Sequence, residues 1–170
     1  MTRVSERHRW EGGAAVSRVP DEAVELHASL LHQRRYEKPV NALAGQSTTL
    51  LATADPVELR EHDNGFKALA GFTWTTESGW TLLGEAWYDA GAYTHEEWRA
   101  LASLTRAQLG LLVAPGVPMD AVSGNIAWSA QAFNRPNLLR QNLLVHLSRR
   151  GESGRIDPAL DVLFTPEDNG

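Results

Sequence analysis

Residues 66–89, FKALAGFTWTTESGWTLLGEAWYD, decide the fold. Phe66, Ala68, Ala70, Phe72 and Trp74 fall on one parity, and Lys67, Leu69, Gly71 and Thr73 on the other. After Thr75–Gly79 the alternation resumes, with Trp80, Leu82, Gly84, Ala86 and Tyr88 against Thr81, Leu83, Glu85, Trp87 and Asp89. Side chains alternate across a strand, so each segment carries one apolar face, and Glu77-Ser78-Gly79 supplies the reversal. The expected register sets Trp74 against Trp80, Phe72 against Leu82, Ala70 against Gly84, Ala68 against Ala86 and Phe66 against Tyr88.

The face the two strands share is aromatic at both ends, small or aliphatic between, and free of charge. Each strand has about the 9–11 residues of a transmembrane β-strand. Lipid-facing strands of membrane barrels carry an apolar band flanked by aromatic rings at headgroup level. A hairpin from a soluble sandwich or barrel alternates in the same way, so both readings stand on this stretch alone.

Composition narrows the field. The chain has 170 residues, enough for one domain with a core. The net charge is −5 with no sustained basic stripe, which speaks against nucleic acid. There is no cysteine, so disulfides and thiolate metal sites are excluded. No stretch reaches the roughly 20 apolar residues of a membrane helix, which leaves barrel strands untouched. The first 19 residues, MTRVSERHRWEGGAAVSRV, have charge but no apolar h-region, and do not read as a secretory signal. The mean hydropathy of −0.33 is moderate, which favours a soluble domain.

Outward from the hairpin, residues 1–20 read as an irregular N-terminal segment, and 21–170 as one antiparallel meander. Residues 23–36 fit a strand, with Val24, Leu26, Ala28 and Leu30 opposite Glu25, His27 and Ser29; a helix starting after Pro20-Asp21-Glu22 is the weaker alternative. Residues 37–65 read as a long connection ending in the turn signal Asp63-Asn64-Gly65. Within 90–120, Thr94-His95-Glu96-Glu97 matches a capping box and predicts a helix from His95 to about Leu109. Residues 121–133, AVSGNIAWSAQAF, alternate and read as a strand, as do 139–148 and 158–164. The expected fold is all-β: an up-and-down meander of about six strands, a partial transmembrane barrel, with one short helix in a long loop. Its long connections fall at one end and its short ones at the other, the loop sorting of outer-membrane barrels.

The stretch GFTWTTESGWTLLGEAWYDAGAYTHEEW resembles strands of poorly characterised, porin-like outer-membrane β-barrel proteins of Gram-negative bacteria. NLLVHLSRRGESGRIDPALDVLFTPEDNG is similar to a later hairpin of such barrels. The resemblance is one of pattern over about residues 21–170. It implies an outer-membrane location, contact with the lipid bilayer, and a passive transport or structural role toward ions or small polar solutes, without catalysis. The chain departs from the family in lacking a signal peptide, a last strand ending in an aromatic residue, and the eight strands of the smallest single-chain barrels. With Asp168-Asn169-Gly170 as a hairpin signal leading to no strand, an internal or truncated piece is expected. The alternative is a soluble β-barrel or β-sandwich that binds a small molecule and uses the aromatic face as its core.

No enzyme signature competes with these readings. The six histidines show no metal-ligand spacing, and GxSxG, P-loop and GxGxxG motifs are missing, so no catalytic, cofactor-binding or metal-binding residue is assigned. Glu85 and Asp89 share a face and form the one carboxylate pair of interest. In the barrel reading, Glu25, His27, Arg35, Lys67, Glu85, Asp89, Arg140, Asn142, His146 and Asp161 face the lumen. Phe66, Phe72, Trp74, Trp80, Tyr88, Trp128 and Phe164 form the lipid-facing girdles.

Overall fold

A computed structural model describes residues 2–3, 10–46, 48–151 and 157–166. The strands are β1 (Thr2–Arg3), β2 (Glu11–Asp21), β3 (Val24–Asn41), β4 (Val57–Thr75), β5 (Trp80–Asp89), β6 (Gln141–Arg149) and β7 (Ala159–Phe164). The helices are α1 (His95–Leu111) and α2 (Met119–Ala130), the latter running into a 3-10 turn at Gln131–Asn134. The chain forms two compact units. Unit 1 comprises residues 1–35, 63–90 and 140–170, and unit 2 comprises 36–62 and 91–139.

The strands form one sheet in sequence order, a meander. The ladders β1–β2, β2–β3, β4–β5, β5–β6 and β6–β7 are antiparallel. β3 and β4 are neighbours, tied at one end by Thr75 N–H to the Ala23 carbonyl at 2.8 Å. The sheet is open, since β1 and β7 end the order. β3 and β5 run the same way, so the two long connections, 42–56 and 90–140, follow strands of one direction. The shorter ones, 22–23, 76–79 and 150–158, follow strands of the other.

The hairpin forms where expected, with β4 ending at Thr75 and β5 starting at Trp80. Its register differs by two residues. Trp74 lies opposite Leu82, Phe72 opposite Gly84, Ala70 opposite Ala86 and Ala68 opposite Tyr88. The turn sets this: the Thr76 N–H donates to the Trp80 carbonyl, and the Trp80 N–H donates to Thr76 Oγ1. A slip of two keeps every side chain on its face, because the strand period is two.

Four expectations fail. Residues 121–133 are not a strand but α2 and the 3-10 turn. Helical spacing puts Val122, Asn125 and Ser129 on one buried face, and Asn125 hydrogen-bonds both the N–H and the carbonyl of Ala52 (2.9 and 3.0 Å). The segment 1–20 is strand from Glu11 onward. Here Gly13 lets β3 approach, since a Cβ would lie 2.6 Å from the Leu30 carbonyl oxygen. The connection 37–65 is much shorter than expected, because β3 runs to Asn41 and β4 begins at Val57. Asp63-Asn64-Gly65 lies inside β4, where Asn64 takes φ 57°, a left-handed residue of the kind found at strand irregularities. The count of six substantial strands holds only because β2 replaces the strand expected at 121–133. The terminal turn signal Asp168-Asn169-Gly170 lies outside the described residues.

The helix expected from the capping box is present as α1. Thr94 Oγ1 accepts from Glu97 N–H, and the Glu97 carboxylate accepts from Thr94 N–H. Unit 2 holds the hydrophobic core, in which Tyr93, Leu101, Ala132 and Leu139 cluster with Ala44 and Trp98 against them. Leu43, Leu104 and Val122 are also buried there. Polar side chains tie the 42–56 loop to the helices: besides Asn125, Gln108 donates to the Leu50 carbonyl at 2.9 Å and Asn41 to Ser129 at 3.3 Å. These bonds satisfy buried polar groups of the loop and the helices, whereas His62 Nε2 and His95 Nδ1 are buried with no hydrogen-bond partner among the described residues.

Candidate functional site

Unit 1 presents two chemically distinct sheet faces. The ladders place Phe66, Ala68, Ala70, Phe72 and Trp74 of β4 beside Trp80, Leu82, Gly84, Ala86 and Tyr88 of β5. The row continues through Leu143, Val145 and Leu147 of β6 to Phe164, Val162 and Leu160 of β7. Among the described residues, unit 1 contributes only Ala90 to the buried hydrophobic side chains. Leu160 is 60% exposed and Val162 49%. A sheet normally buries its apolar face against a second layer. Here that face is open.

Six of the seven expected girdle residues, Phe66, Phe72, Trp74, Trp80, Tyr88 and Phe164, lie on this face. Trp128 does not: it sits half-buried on α2, because its segment is helical. The aromatic residues stand in rows. Phe66 and Tyr88 stack with centroids 4.6 Å apart. At the other end Trp74 and Trp80 flank the hairpin turn, and the Arg149 guanidinium lies 5.5 Å from the Trp80 ring centroid. Gly84 makes room for Phe72, whose ring would meet an added Cβ at 2.6 Å. The row lies over glycine backbone, as aromatic rings do where they rescue strand glycines.

The opposite face carries several cross-strand polar pairs. His27 Nε2 meets Glu85 Oε1 at 3.0 Å, reaching across β4 from β3 to β5. Gly71 permits the crossing, because a Cβ there would sit 2.5 Å from His27 Nε2 and 2.9 Å from Glu85 Cγ. Lys67 donates to Asp89 at 3.1 Å, with Asp89 buried. His146 Nδ1 lies 2.6 Å from Asp161 Oδ1, Ser17 donates to Glu25 at 2.8 Å, and Arg35 lies 3.5 Å from Asp63. Asn142 Oδ1 accepts from Thr165 at 3.4 Å, and the Arg140 carbonyl accepts from Asp89 N–H. The ten residues expected on the lumen side therefore include three cross-strand pairs. Glu85 and Asp89 are not a carboxylate dyad, since each has its own basic partner. Leu69, Leu83, Trp87, Leu144 and Leu163 share this face, so it is mixed rather than wholly polar.

Unit 2 has a separate polar centre that the sequence did not disclose. Lys38, fully buried, donates to Glu97 and lies 5.3 Å from the Tyr93 ring centroid. The Tyr93 hydroxyl donates to the Pro39 carbonyl at 3.0 Å. Burial pushes the Tyr93 phenol above its ordinary range; nearby Arg135 opposes this and Glu97 adds to it. Burial alone would raise the Glu97 carboxyl, but Lys38 and the Thr94 bonds outweigh it and hold the group below the ordinary carboxylate range. Tyr93, Glu97, Arg60 and His62 line a cavity of about 200 Å³ beside this pair. Among the described residues no cluster of three His, Asp or Glu side chains could hold a metal ion.

Comparison with protein-family models, with curated proteins and with solved structures finds no match to this chain.

Proposed function

We propose that the sheet of unit 1 is part of the wall of a porin-like outer-membrane β-barrel, with a passive transport or structural role and no catalysis. The observation that carries this reading is the open apolar face. Among the described residues it spans β4 to β7 without a buried hydrophobic layer beneath it, while the opposite face holds cross-strand polar pairs. In water such a surface is a liability, whereas against lipid it is the favourable solvent contact.

Its dimensions fit. Phe66 to Trp74 on β4 and Trp80 to Tyr88 on β5 are both eight residues apart. At about 3.4 Å per residue this is roughly 27 Å along the strand. A tilt of about 40° projects it to about 20 Å, close to the ~25 Å apolar band of membrane barrels. No charged residue lies between these rows on that face of the hairpin. The polar face would line the lumen, where its pairs bias or brace passage of ions and small polar solutes. Lipid cannot satisfy unpaired backbone groups, so in this reading further strands complete the wall at the β1 and β7 edges.

The test is partition of the purified chain between buffer and phospholipid vesicles, by flotation and far-UV circular dichroism. Co-flotation with gain of β-structure supports the reading. A cooperative β-rich monomer in plain buffer that ignores vesicles overturns it and favours a soluble binding domain.

A further inference from the structure

The apolar face is not evenly tiled. Ala70 lies directly opposite Ala86, and Ala68 opposite Tyr88, in adjacent rows of β4 and β5. On the other side Ala86 meets Leu143, and Tyr88 meets Gln141. These small side chains leave an open groove of about 470 Å³, which Pro166 also lines. That size is within the range of small-ligand sites. Ala70 and Ala86 are themselves exposed, so the floor of the groove is open to whatever solvent the face meets.

Leu69, Trp87 and Asn142, which also line the groove, belong to the row of the opposite parity; on the apolar face itself the groove is polar at one end. Its Ala70–Ala86–Leu143 row is wholly apolar, while the next row carries the Tyr88 phenol and the Gln141 carboxamide. Tyr88 belongs to the aromatic row that stacks on Phe66, eight residues from the tryptophans at the hairpin turn. Amphipathic rings of that kind sit at headgroup level. The apolar end therefore points along the strands toward the middle of the band, and the polar end lies at its border.

We propose that this groove is a binding site for one acyl chain of a phospholipid, with the ester region against Tyr88 and Gln141 and the chain along Ala68, Ala70 and Ala86. The site rests on the barrel-wall reading. It predicts a chain held in place rather than one exchanging freely with the bulk lipid. Larger side chains at the alanine positions would fill the space the chain occupies.

The experiment reconstitutes the full chain in phosphatidylcholine–phosphatidylglycerol vesicles, re-extracts it in mild detergent, and counts phospholipid per chain by native mass spectrometry. The unchanged protein is expected to retain roughly one phospholipid. Ala70→Leu and Ala86→Leu are expected to lower retention about tenfold, and Val162→Leu, on the same face outside the groove, to leave it unchanged. Circular dichroism checks folding, and Ala68→Leu takes the place of either variant that does not fold. Equal retention in filled and unchanged proteins, or none in the unchanged protein despite flotation, overturns the groove and leaves the wall standing. Failure of the unchanged protein to float overturns the wall itself.

Discussion

Units 1 and 2 use the same apolar residue types in opposite ways. In unit 2, Leu101, Ala132 and Leu139 cluster with Tyr93, Leu104 and Val122 are buried too, and the buried Asn41, Gln108 and Asn125 are hydrogen-bonded. In unit 1, Leu143, Val145, Leu147, Leu160 and Val162 form a continuous row that stays exposed. Unit 2 has the interior of a protein that folds in water. Unit 1 has the pattern of an interior turned outward, with three cross-strand polar pairs on the other face. The difference teaches that burial, not composition, separates the two units.

The largest expected effect is in unit 2. Glu97→Gln keeps a side chain able to close the capping box, but leaves the Lys38 ammonium buried without its carboxylate. Breaking a buried pair costs roughly 3–5 kcal/mol, read as a lower midpoint in denaturant with vesicle partition unchanged. The same pair gives a pH signature. The folded Glu97 pKa lies below the unfolded one, so its contribution is complete above the ordinary carboxylate range and is lost as pH falls through the folded value. Near-UV circular dichroism of Trp98 should report that acid transition, and Glu97→Gln should remove it.

Matched truncations sharpen the contrast. Leu101→Ala, in the unit 2 core, should cost about 2–5 kcal/mol. Leu147→Ala, on the open face, should cost less than about 1 kcal/mol in plain buffer. Similar losses in the two would mean that Leu147 is covered in solution, and the wall reading would fail. Ala70→Arg should be nearly silent in buffer, yet cost roughly 2–4 kcal/mol in a bilayer near its midplane. Insertion and stability unaffected by that charge would mean that the face does not meet lipid. A small effect is also expected of Thr94→Ala, which removes the cap of α1 and should cost about 1 kcal/mol in thermal or denaturant unfolding.

Where side-chain pattern and backbone agree, the sequence was legible. The central hairpin, β6, β7 and the start of α1 are all marked by alternation or by a capping box. The two-faced division of unit 1 followed from the same parity. What misled was ambiguity of period. Small residues in AVSGNIAWSA alternate as a strand would, but Val122, Asn125 and Ser129 also fit a helix, and the Asn125 bonds to Ala52, 73 residues away, are invisible in the sequence. β2 was hidden because glycines and Arg18 blur its alternation, and its fit depends on the close approach of β3 at Gly13. Asp63-Asn64-Gly65 has turn chemistry, but the strand absorbs it as a local irregularity. The hairpin register slipped because one hydroxyl, Thr76 Oγ1, fixes where the turn closes. The pairing of Lys38 with Glu97 joins residues 59 apart, beyond any local signal.

That pairing also bears on the order of events during folding. Glu97 serves two partners, the Thr94 N–H three residues before it and the Lys38 ammonium far back in the chain. The cap forms within one turn and can be present early, because it closes almost no loop. The ammonium arrives only when the far end of β3 has docked, a closure over 59 residues. Until then the first turn of α1 keeps a solvated carboxylate. The helix start is thus ready before the distant strand segment arrives, and docking that segment is the step that dehydrates it. Glu97→Gln should therefore speed unfolding more than it slows folding, and a chevron plot of unit 2's helical signal would read that partition directly.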